Sequence, residues 1–164
     1  PKSMKQISNP SKYNATLNDY LREVHCVCPK CGGKAVITAS SKWALPWLPF
    51  DVSLVCHACP HREAWPSSNW QSDFVNYNPA NGIEPYFGYA LLLQTSIKGQ
   101  SFGVFSPAHA LDIAEYIEAT DRPTPANSKW SMVNRLPKWV KLAKNREVVL
   151  QALNKLQNQS ASKA

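Results

Sequence analysis

The sequence predicts an α+β fold, a four-cysteine ribbon plus a β-hairpin packed with C-terminal helices, and three observations support this prediction. Two C-x2-C pairs flank segments rich in β-branched residues. Residues 89–105, "YALLLQTSIKGQSFGVF", form two apolar stretches around a turn at Lys98-Gly99-Gln100. Later segments carry apolar side chains at helical spacing. At 164 residues, with 44% hydrophobic residues, the chain is long enough to bury a modest core.

The cysteine pairs are Cys28-Pro-Lys-Cys31 and Cys56-His-Ala-Cys59, with 24 residues between them. Each C-x2-C turn can aim two thiolates at one ion, and two such turns supply the four sulfurs of a tetrahedral zinc site. We therefore expect Cys28, Cys31, Cys56 and Cys59 to bind one structural Zn²⁺. Because four thiolates close the coordination shell, no catalytic role is expected for this ion. Gly32 and Gly33 favour the first turn, since such turns need residues that accept positive φ.

Other interpretations of these residues remain open. Iron in the same cage, a redox dithiol and unrelated buried thiols are the alternatives to zinc. His57 or His61 could replace a cysteine as ligand, although the doubled motif needs neither. The stretch His61-Arg62-Glu63 copies the H-x-E of zinc deaminases, but it follows the cysteine pairs instead of preceding one.

Cys26 is the fifth cysteine, and we interpret it as a buried or spare thiol. His25 lies beside it in the sequence, yet adjacent residues on a strand point to opposite faces, so His25 is poorly placed to activate it. We predict no catalytic residues.

The chain divides into four segments. Residues 1–24 form an N-terminal arm with a short helix in "TLNDYLREV", residues 16–24, and residues 25–64 form the zinc ribbon, with strands in "KAVITAS" and "DVSLV". Between these strands, the tryptophans of "SKWALPWLPF", Trp43 and Trp47, either cover the ribbon core or form a contact surface.

Residues 65–127 contain an aromatic loop, the β-hairpin and a helix. Ser106 is a suitable N-cap, Pro107 suits the first helical position, and an apolar seam runs to about Thr120 through Ala110, Ile113, Ala114 and Ile117. Residues 128–164 form a basic helical region, read as "SKWSMVNR", "PKWVKLAK" and "REVVLQALNKLQ", with Asn145 as a cap for the last helix and Val149, Leu153 and Leu156 along one face.

The positive charge is concentrated in this last segment. Residues 1–127 hold ten basic and ten acidic residues, whereas residues 128–164 hold eight basic residues and only Glu147, which accounts for the net charge of +7. On a helix starting near Pro137, Lys138, Lys141 and Lys144 would form one stripe. Such a stripe meets phosphates, an acidic protein surface or only water.

We expect a cytoplasmic protein without a membrane segment. No stretch has the pattern of a secretory signal, and the longest apolar runs are too short to span a bilayer. Clustered thiols in a reducing compartment are more often metal ligands than disulfides.

Four segments together resemble small stand-alone zinc-ribbon proteins of bacteria, over most of the chain from Cys28 to Leu156: "CPKCGG", "LVCHACPH", "YALLLQTSIKGQSFGVFSPAHALDIAEYIEA" and "SMVNRLPKWVKLAKNREVVLQALNKL". Some of these proteins are encoded beside polymorphic toxins of the Rhs type. The resemblance implies an immunity protein that binds a toxin domain and blocks its active site or substrate surface.

Our first hypothesis is therefore a non-enzymatic module that binds and neutralises a cognate bacterial toxin domain. The partner-binding residues predicted for it are aromatic and basic: Trp65, Trp70, Tyr77, Tyr86, Arg135, Lys138, Lys141 and Lys144. The alternative is a nucleic-acid-binding zinc ribbon that uses the basic C-terminal helices, with Arg146 as a further contact and Trp139 as a stacking group.

Overall fold

The computed structural model describes residues 17–43, 47–70, 79–119 and 136–162, and within these ranges the chain has both antiparallel sheets and helices. The α+β class predicted from the sequence is confirmed. The strands are β1 Glu23–Val27, β2 Lys34–Ser41, β3 Pro49–Cys56, β4 Arg62–Ala64, β5 Leu93–Ile97 and β6 Gln100–Val104. The α-helices are α1 Pro107–Glu118, α2 Lys138–Lys141 and α3 Arg146–Ser162. None of the described helices is long and apolar enough to cross a membrane.

Strands β1 to β4 form an antiparallel meander in chain order. On β2 the side chains of Ala35, Ile37 and Ala39 are buried, and Ala35 and Ile37 pair with the buried Cys56 and Leu54 of β3. Buried residues two apart lie on one face of a strand. One face of this sheet therefore packs on the core, while the other carries mostly half-buried and exposed side chains, with the buried His25 of β1 as an exception.

The outer edge of β1 is joined to the second half of the chain. The Val27 amide donates to the Ala90 carbonyl at 2.9 Å, the Leu92 amide donates to the His25 carbonyl at 3.0 Å, and the His25 amide donates to the Phe105 carbonyl at 2.7 Å. Strand β1 is thus hydrogen-bonded on both sides. The cysteine-bearing sheet and the helical half consequently share one hydrophobic core.

The β5–β6 hairpin turns at Lys98 and Gly99, while Gln100, the third residue of the predicted turn, begins β6. Lys98 and Gly99 have positive φ, 51° and 78°, as a two-residue type I′ turn requires. Ser106 then caps α1, because its side chain accepts a hydrogen bond from the His109 amide.

Helices α1 and α3 pack against each other, and α3 also contacts β5. Ala110, Ile113 and Ile117 of α1 are buried, as are Val149, Leu153 and Leu156 of α3. The predicted apolar faces of both helices are confirmed, although Ala114 is only partly buried.

Two helical predictions are wrong. The segment "TLNDYLREV" forms a single 3-10 turn, Leu17–Tyr20, and β1 begins at Glu23 because this backbone pairs with β2. A tertiary ladder here overrides the helical spacing of the apolar residues. The helix expected from Pro137 is interrupted at Leu142, whose backbone is extended, so α2 has four residues and a 3-10 turn precedes α3. The segment 128–135 lies outside the described residues.

Candidate metal centre

The sheet topology brings both cysteine pairs to one end of the meander. Cys28 and Cys31 lie in the connection from β1 to β2, while Cys56 ends β3 and Cys59 lies in the connection to β4. In an antiparallel meander these two connections fall at the same end of the sheet. The four residues predicted as ligands are therefore neighbours in space.

The four sulfur atoms all lie within 4.8 Å of one another. The Sγ atoms of Cys28 and Cys59 are 3.8 Å apart, and those of Cys31 and Cys56 are 3.5 Å apart. A tetrahedron with metal–sulfur bonds of about 2.3 Å has edges of about 3.8 Å. The arrangement is thus sized to hold one metal ion with four thiolate ligands.

Backbone amides point at these sulfurs. The amides of Lys30 and Gly33 donate to Cys28 Sγ and Cys31 Sγ, both at 3.3 Å. In the second turn, the amides of Ala58 and Cys59 donate to Cys56 Sγ at 3.2 and 3.3 Å. Hydrogen bonds to a thiolate favour its charged form. The two turns are therefore built to carry negative sulfur.

The thiols of the second turn have unequal acidities. Burial raises the pKa of Cys56, but hydrogen bonds from the amides of Ala58 and Cys59 and with the sulfurs of Cys31 and Cys59 together lower that pKa to about 7. For Cys59, the His61 amide lowers the pKa, while burial and the three neighbouring sulfurs raise it to about 12. Closely spaced sulfurs cannot all ionise without a counter-charge, which a bound cation supplies.

The two glycines of the first turn serve different purposes. Gly32 has φ of 77°, which confirms the predicted left-handed position. The same prediction for Gly33 is wrong, because its φ is not positive. A Cβ atom at Gly33 would lie 2.7 Å from the Cβ of Ala58 and 3.3 Å from Cys31 Sγ. Gly33 therefore permits the close approach of the two cysteine turns.

The histidines near the centre are not part of the four-sulfur cluster. His57 is exposed, and its amide donates to the Lys34 carbonyl at 2.9 Å. His61 Nε2 lies 2.7 Å from Glu63 Oε2, which also accepts the Tyr89 hydroxyl at 2.6 Å. Although partial burial raises it, hydrogen bonds from Tyr89 and His61 hold the pKa of Glu63 below its usual value. These hydrogen bonds link the second cysteine turn to Tyr89.

Cys26 lies outside the cluster. It is fully buried on β1 between Ala35 and Leu91, and burial raises its pKa to about 12. The neighbouring His25 has its Nε2 atom 2.8 Å from Glu23 Oε2. Cys26 is thus a core side chain, in agreement with its interpretation as a buried thiol.

The structure places Tyr86, predicted as a partner contact, in the core, where it is 8% exposed. Its hydroxyl donates to the Leu21 carbonyl at 2.8 Å and accepts the Trp47 indole at 2.9 Å. Trp65 is half-buried, and its indole donates to the Tyr86 carbonyl at 3.2 Å. Of the two tryptophans in the 41–50 loop, Trp47 is buried and Trp43 is exposed.

A buried glutamate that sequence reasoning missed organises this aromatic turn. The Glu84 carboxylate has no exposure and accepts hydrogen bonds from the amides of Tyr86, Phe87 and Tyr89 at 2.6 to 3.0 Å. Burial raises the pKa of Glu84, and these amides oppose that effect. The signal in the sequence was a single acidic residue within an otherwise apolar and aromatic stretch.

The other predicted partner-binding residues are partly on the surface. Trp70 is 43% exposed, Lys138 and Lys144 are exposed, and Lys141 is half-buried. The break at Leu142 divides the lysine stripe, which therefore does not run along one helix. Trp139 makes an edge-to-face contact with Phe102. Tyr77 and Arg135 lie outside the described residues.

Comparison with protein-family models, with curated proteins and with solved structures finds no match to this chain. The metal centre and the surface residues around it are therefore the starting point for a functional proposal.

Proposed function

We propose that this protein is a non-enzymatic zinc-ribbon protein that binds and neutralises a bacterial toxin domain. The observation that carries the proposal is the four-sulfur centre at one end of the β1–β4 sheet. Four thiolates leave no coordination position for water or substrate, so the metal serves to fix the sheet. The activity then belongs to the protein surface.

Zinc is the ion that this donor set favours. Tetrahedral thiolate cages select Zn²⁺ or iron, and structural zinc sites are closed sets of four cysteines or of cysteines and histidines. A bound ion would join the β1–β2 connection to the end of β3. Its ligands Cys31 and Cys56 are 25 residues apart in the sequence. Binding free energy at such a site contributes directly to folding.

The metal content of the purified native protein tests the assignment of zinc. We expect one zinc ion per chain by native mass spectrometry and elemental analysis. Cys56→Ser should lose the ion, whereas the matched Cys26→Ser variant, changed in the core but outside the cluster, should retain it. One iron per chain, or equal zinc in both variants, contradicts the assignment.

Two features of the surface support a binding role. Trp70 is 43% exposed, and tryptophan is enriched at the energetic centres of protein interfaces. The excess positive charge lies in residues 128–164, and complementary charge speeds the association of proteins. The resemblance of "CPKCGG" and the C-terminal segment to zinc-ribbon proteins encoded beside Rhs-type toxins supports a toxin domain as the partner.

Co-expression with a toxin domain of the Rhs type tests the function. We expect the wild type to restore growth and to co-purify with the toxin domain. Trp70→Ala should weaken binding by at least about tenfold, as expected for an interface tryptophan. The control is Leu111→Ala, which shortens an exposed apolar side chain of α1 that is not among the predicted contacts and should bind normally. A wild-type protein that neither binds nor protects overturns the proposal.

A further inference from the structure

The hairpin turn and the start of α3 bring basic residues from separate parts of the sequence together around Asn145. Asn145 is 5% exposed. Its Oδ1 atom accepts a hydrogen bond from Lys98 Nζ at 2.8 Å, and its Nδ2 atom donates to the Trp139 carbonyl at 2.8 Å. The ammonium group of Lys98 is thereby held beside the segment that carries three further lysines. We call this group, Lys98, Lys138, Lys141 and Lys144, the basic corner.

The charge of the basic corner is not neutralised by the described part of the chain. None of its four lysines lies within 4 Å of a described carboxylate, and Glu147 is the only acidic residue within 136–162. Lys98 donates to an amide oxygen, which carries no net charge, so this hydrogen bond is not an ion pair. Lys98, Lys138 and Lys144 are exposed.

Asn145 also restricts the Lys98 side chain before a partner binds. A free lysine side chain loses rotamer entropy when it is immobilised at an interface. The bond to a buried asparagine, itself fixed by the Trp139 carbonyl, already restricts Lys98 in the unbound protein. A surface lysine ordered in this way loses less entropy on binding than one that is free in water.

The surroundings favour an acidic protein over a single-stranded nucleic acid. Single-stranded nucleic acids are bound by basic grooves together with aromatic rings on which bases stack. The only aromatic ring within 136–162 is Trp139, which is half-buried and packs edge-to-face against Phe102 with ring centroids 6.1 Å apart. No described ring of this segment is therefore free for stacking.

We infer that the basic corner docks an acidic surface, rich in Asp and Glu, of a partner protein. The inference rests on the proposed binding function and specifies the chemistry of the partner surface. Charges of this kind act mainly on the association rate and on partner choice, and their effect weakens as salt screens them.

Fluorescence anisotropy with a labelled poly-glutamate peptide at low salt tests the basic corner without the toxin domain. We expect Lys144→Glu to weaken peptide binding by about fivefold or more, and the wild-type affinity to fall as salt rises. The matched control is Lys155→Glu, which changes the net charge equally at an exposed position of α3 outside the corner. It should change the affinity less than about twofold. Lys98→Gln, which keeps a hydrogen-bond donor for Asn145, should also weaken binding.

Three results overturn the inference: no binding of the peptide, equal loss in Lys144→Glu and Lys155→Glu, or tighter binding of a single-stranded oligonucleotide of equal charge through the same residues. The last result assigns the corner to nucleic acid. Because the peptide replaces the toxin domain, the two experiments are independent. The peptide measurement tests the basic corner even if the growth test fails, and the growth test measures neutralisation even if the peptide does not bind.

Discussion

Gly33 shows how a single side chain can decide whether the metal centre forms. The two cysteine turns approach each other at this position, where an added Cβ would lie 2.7 Å from the Cβ of Ala58. Real Cβ atoms do not approach so closely. Ala58 is held in place because its backbone amide donates a hydrogen bond to Cys56 Sγ. A substitution at Gly33 therefore forces the two turns apart.

We predict that Gly33→Ala weakens metal binding and destabilises the protein by about 1–3 kcal/mol, as overpacking does. Competition with a zinc chelator and urea unfolding measure the two effects. The double variant Gly33→Ala/Ala58→Gly removes the opposing methyl group and should recover much of the loss. If the double variant is no better than the single one, the contact with Ala58 is not the cause.

His109 is a buried histidine that favours the neutral state. Its Nδ1 atom accepts the Phe105 amide at 3.1 Å, its Nε2 atom has no partner among the described residues, and Tyr20 stacks on the ring at 4.4 Å. Burial lowers the pKa of His109 from 6.5 to about 3. Between these values the unfolded chain binds a proton that the folded chain does not, so stability falls as the pH falls.

We expect the neutral His109 to lower the free energy of unfolding by about 2 kcal/mol as the pH falls from about 8 to about 5. Urea unfolding across this range, compared between the wild type and His109→Gln, isolates the effect. Glutamine can still accept the Phe105 amide, and other groups such as Glu84 titrate equally in both proteins. Parallel stability curves for the two proteins would show that His109 does not remain neutral in the core.

Among the secondary-structure elements, α1 begins with an N-cap that depends on one hydroxyl. Ser106 accepts the His109 amide at 3.3 Å and is followed by Pro107, whose fixed φ suits the first helical turn. This cap also positions His109, since the capped amide and the buried ring belong to the same residue.

Ser106→Ala should destabilise the protein by about 1 kcal/mol, the usual cost of losing an N-cap. Urea denaturation followed by circular dichroism measures it. Ser106→Thr retains the hydroxyl and serves as the matched control. A Thr variant that loses as much stability as the Ala variant would point to packing around residue 106, which is 5% exposed, and not to the cap.

For the chain as a whole, the metal centre and the helical half are expected to unfold together. Strand β1 is bonded to β2 on one side and to Ala90, Leu92 and Phe105 on the other. Glu63 and Tyr89 add a second connection between the cysteine end and the aromatic turn at Glu84. Loss of the metal should therefore destabilise the whole shared core.

We predict that removal of the bound metal with a chelator lowers the melting temperatures reported by tryptophan fluorescence and by far-ultraviolet circular dichroism to the same extent. Fluorescence reports mainly on the cysteine-bearing half, because four of the six tryptophans, Trp43, Trp47, Trp65 and Trp70, lie within residues 43–70. Circular dichroism is dominated by the helices. A ligand present at about 100 times its Kd stabilises the folded state by about 2.7 kcal/mol. Cys26→Ser should respond to the chelator as the wild type does, and Cys56→Ser should not respond. Separate transitions would show that the two halves unfold independently.

The features that the sequence predicted correctly depend on local chemistry. The four clustered cysteines, the Lys98-Gly99 turn, the Ser106 cap and the apolar face of α3 each follow from spacing or from residues next to one another. Such interactions form within a few residues, so a sequence pattern contains both partners. The same patterns placed a helix at 16–24, where pairing with β2 overrides the spacing.

The features that the sequence did not predict depend on partners far away in the chain. Tyr86 is buried because Leu21 and Trp47 supply its hydrogen bonds, 65 and 39 residues away. Gly33 is required because Ala58 faces it, and Lys98 joins the C-terminal lysines because Asn145 binds it. The sequence therefore determined which residues form the four-sulfur cluster. Packing between distant segments determined which aromatic and basic side chains remain on the surface for a partner, because burial depends on contacts that no local pattern contains.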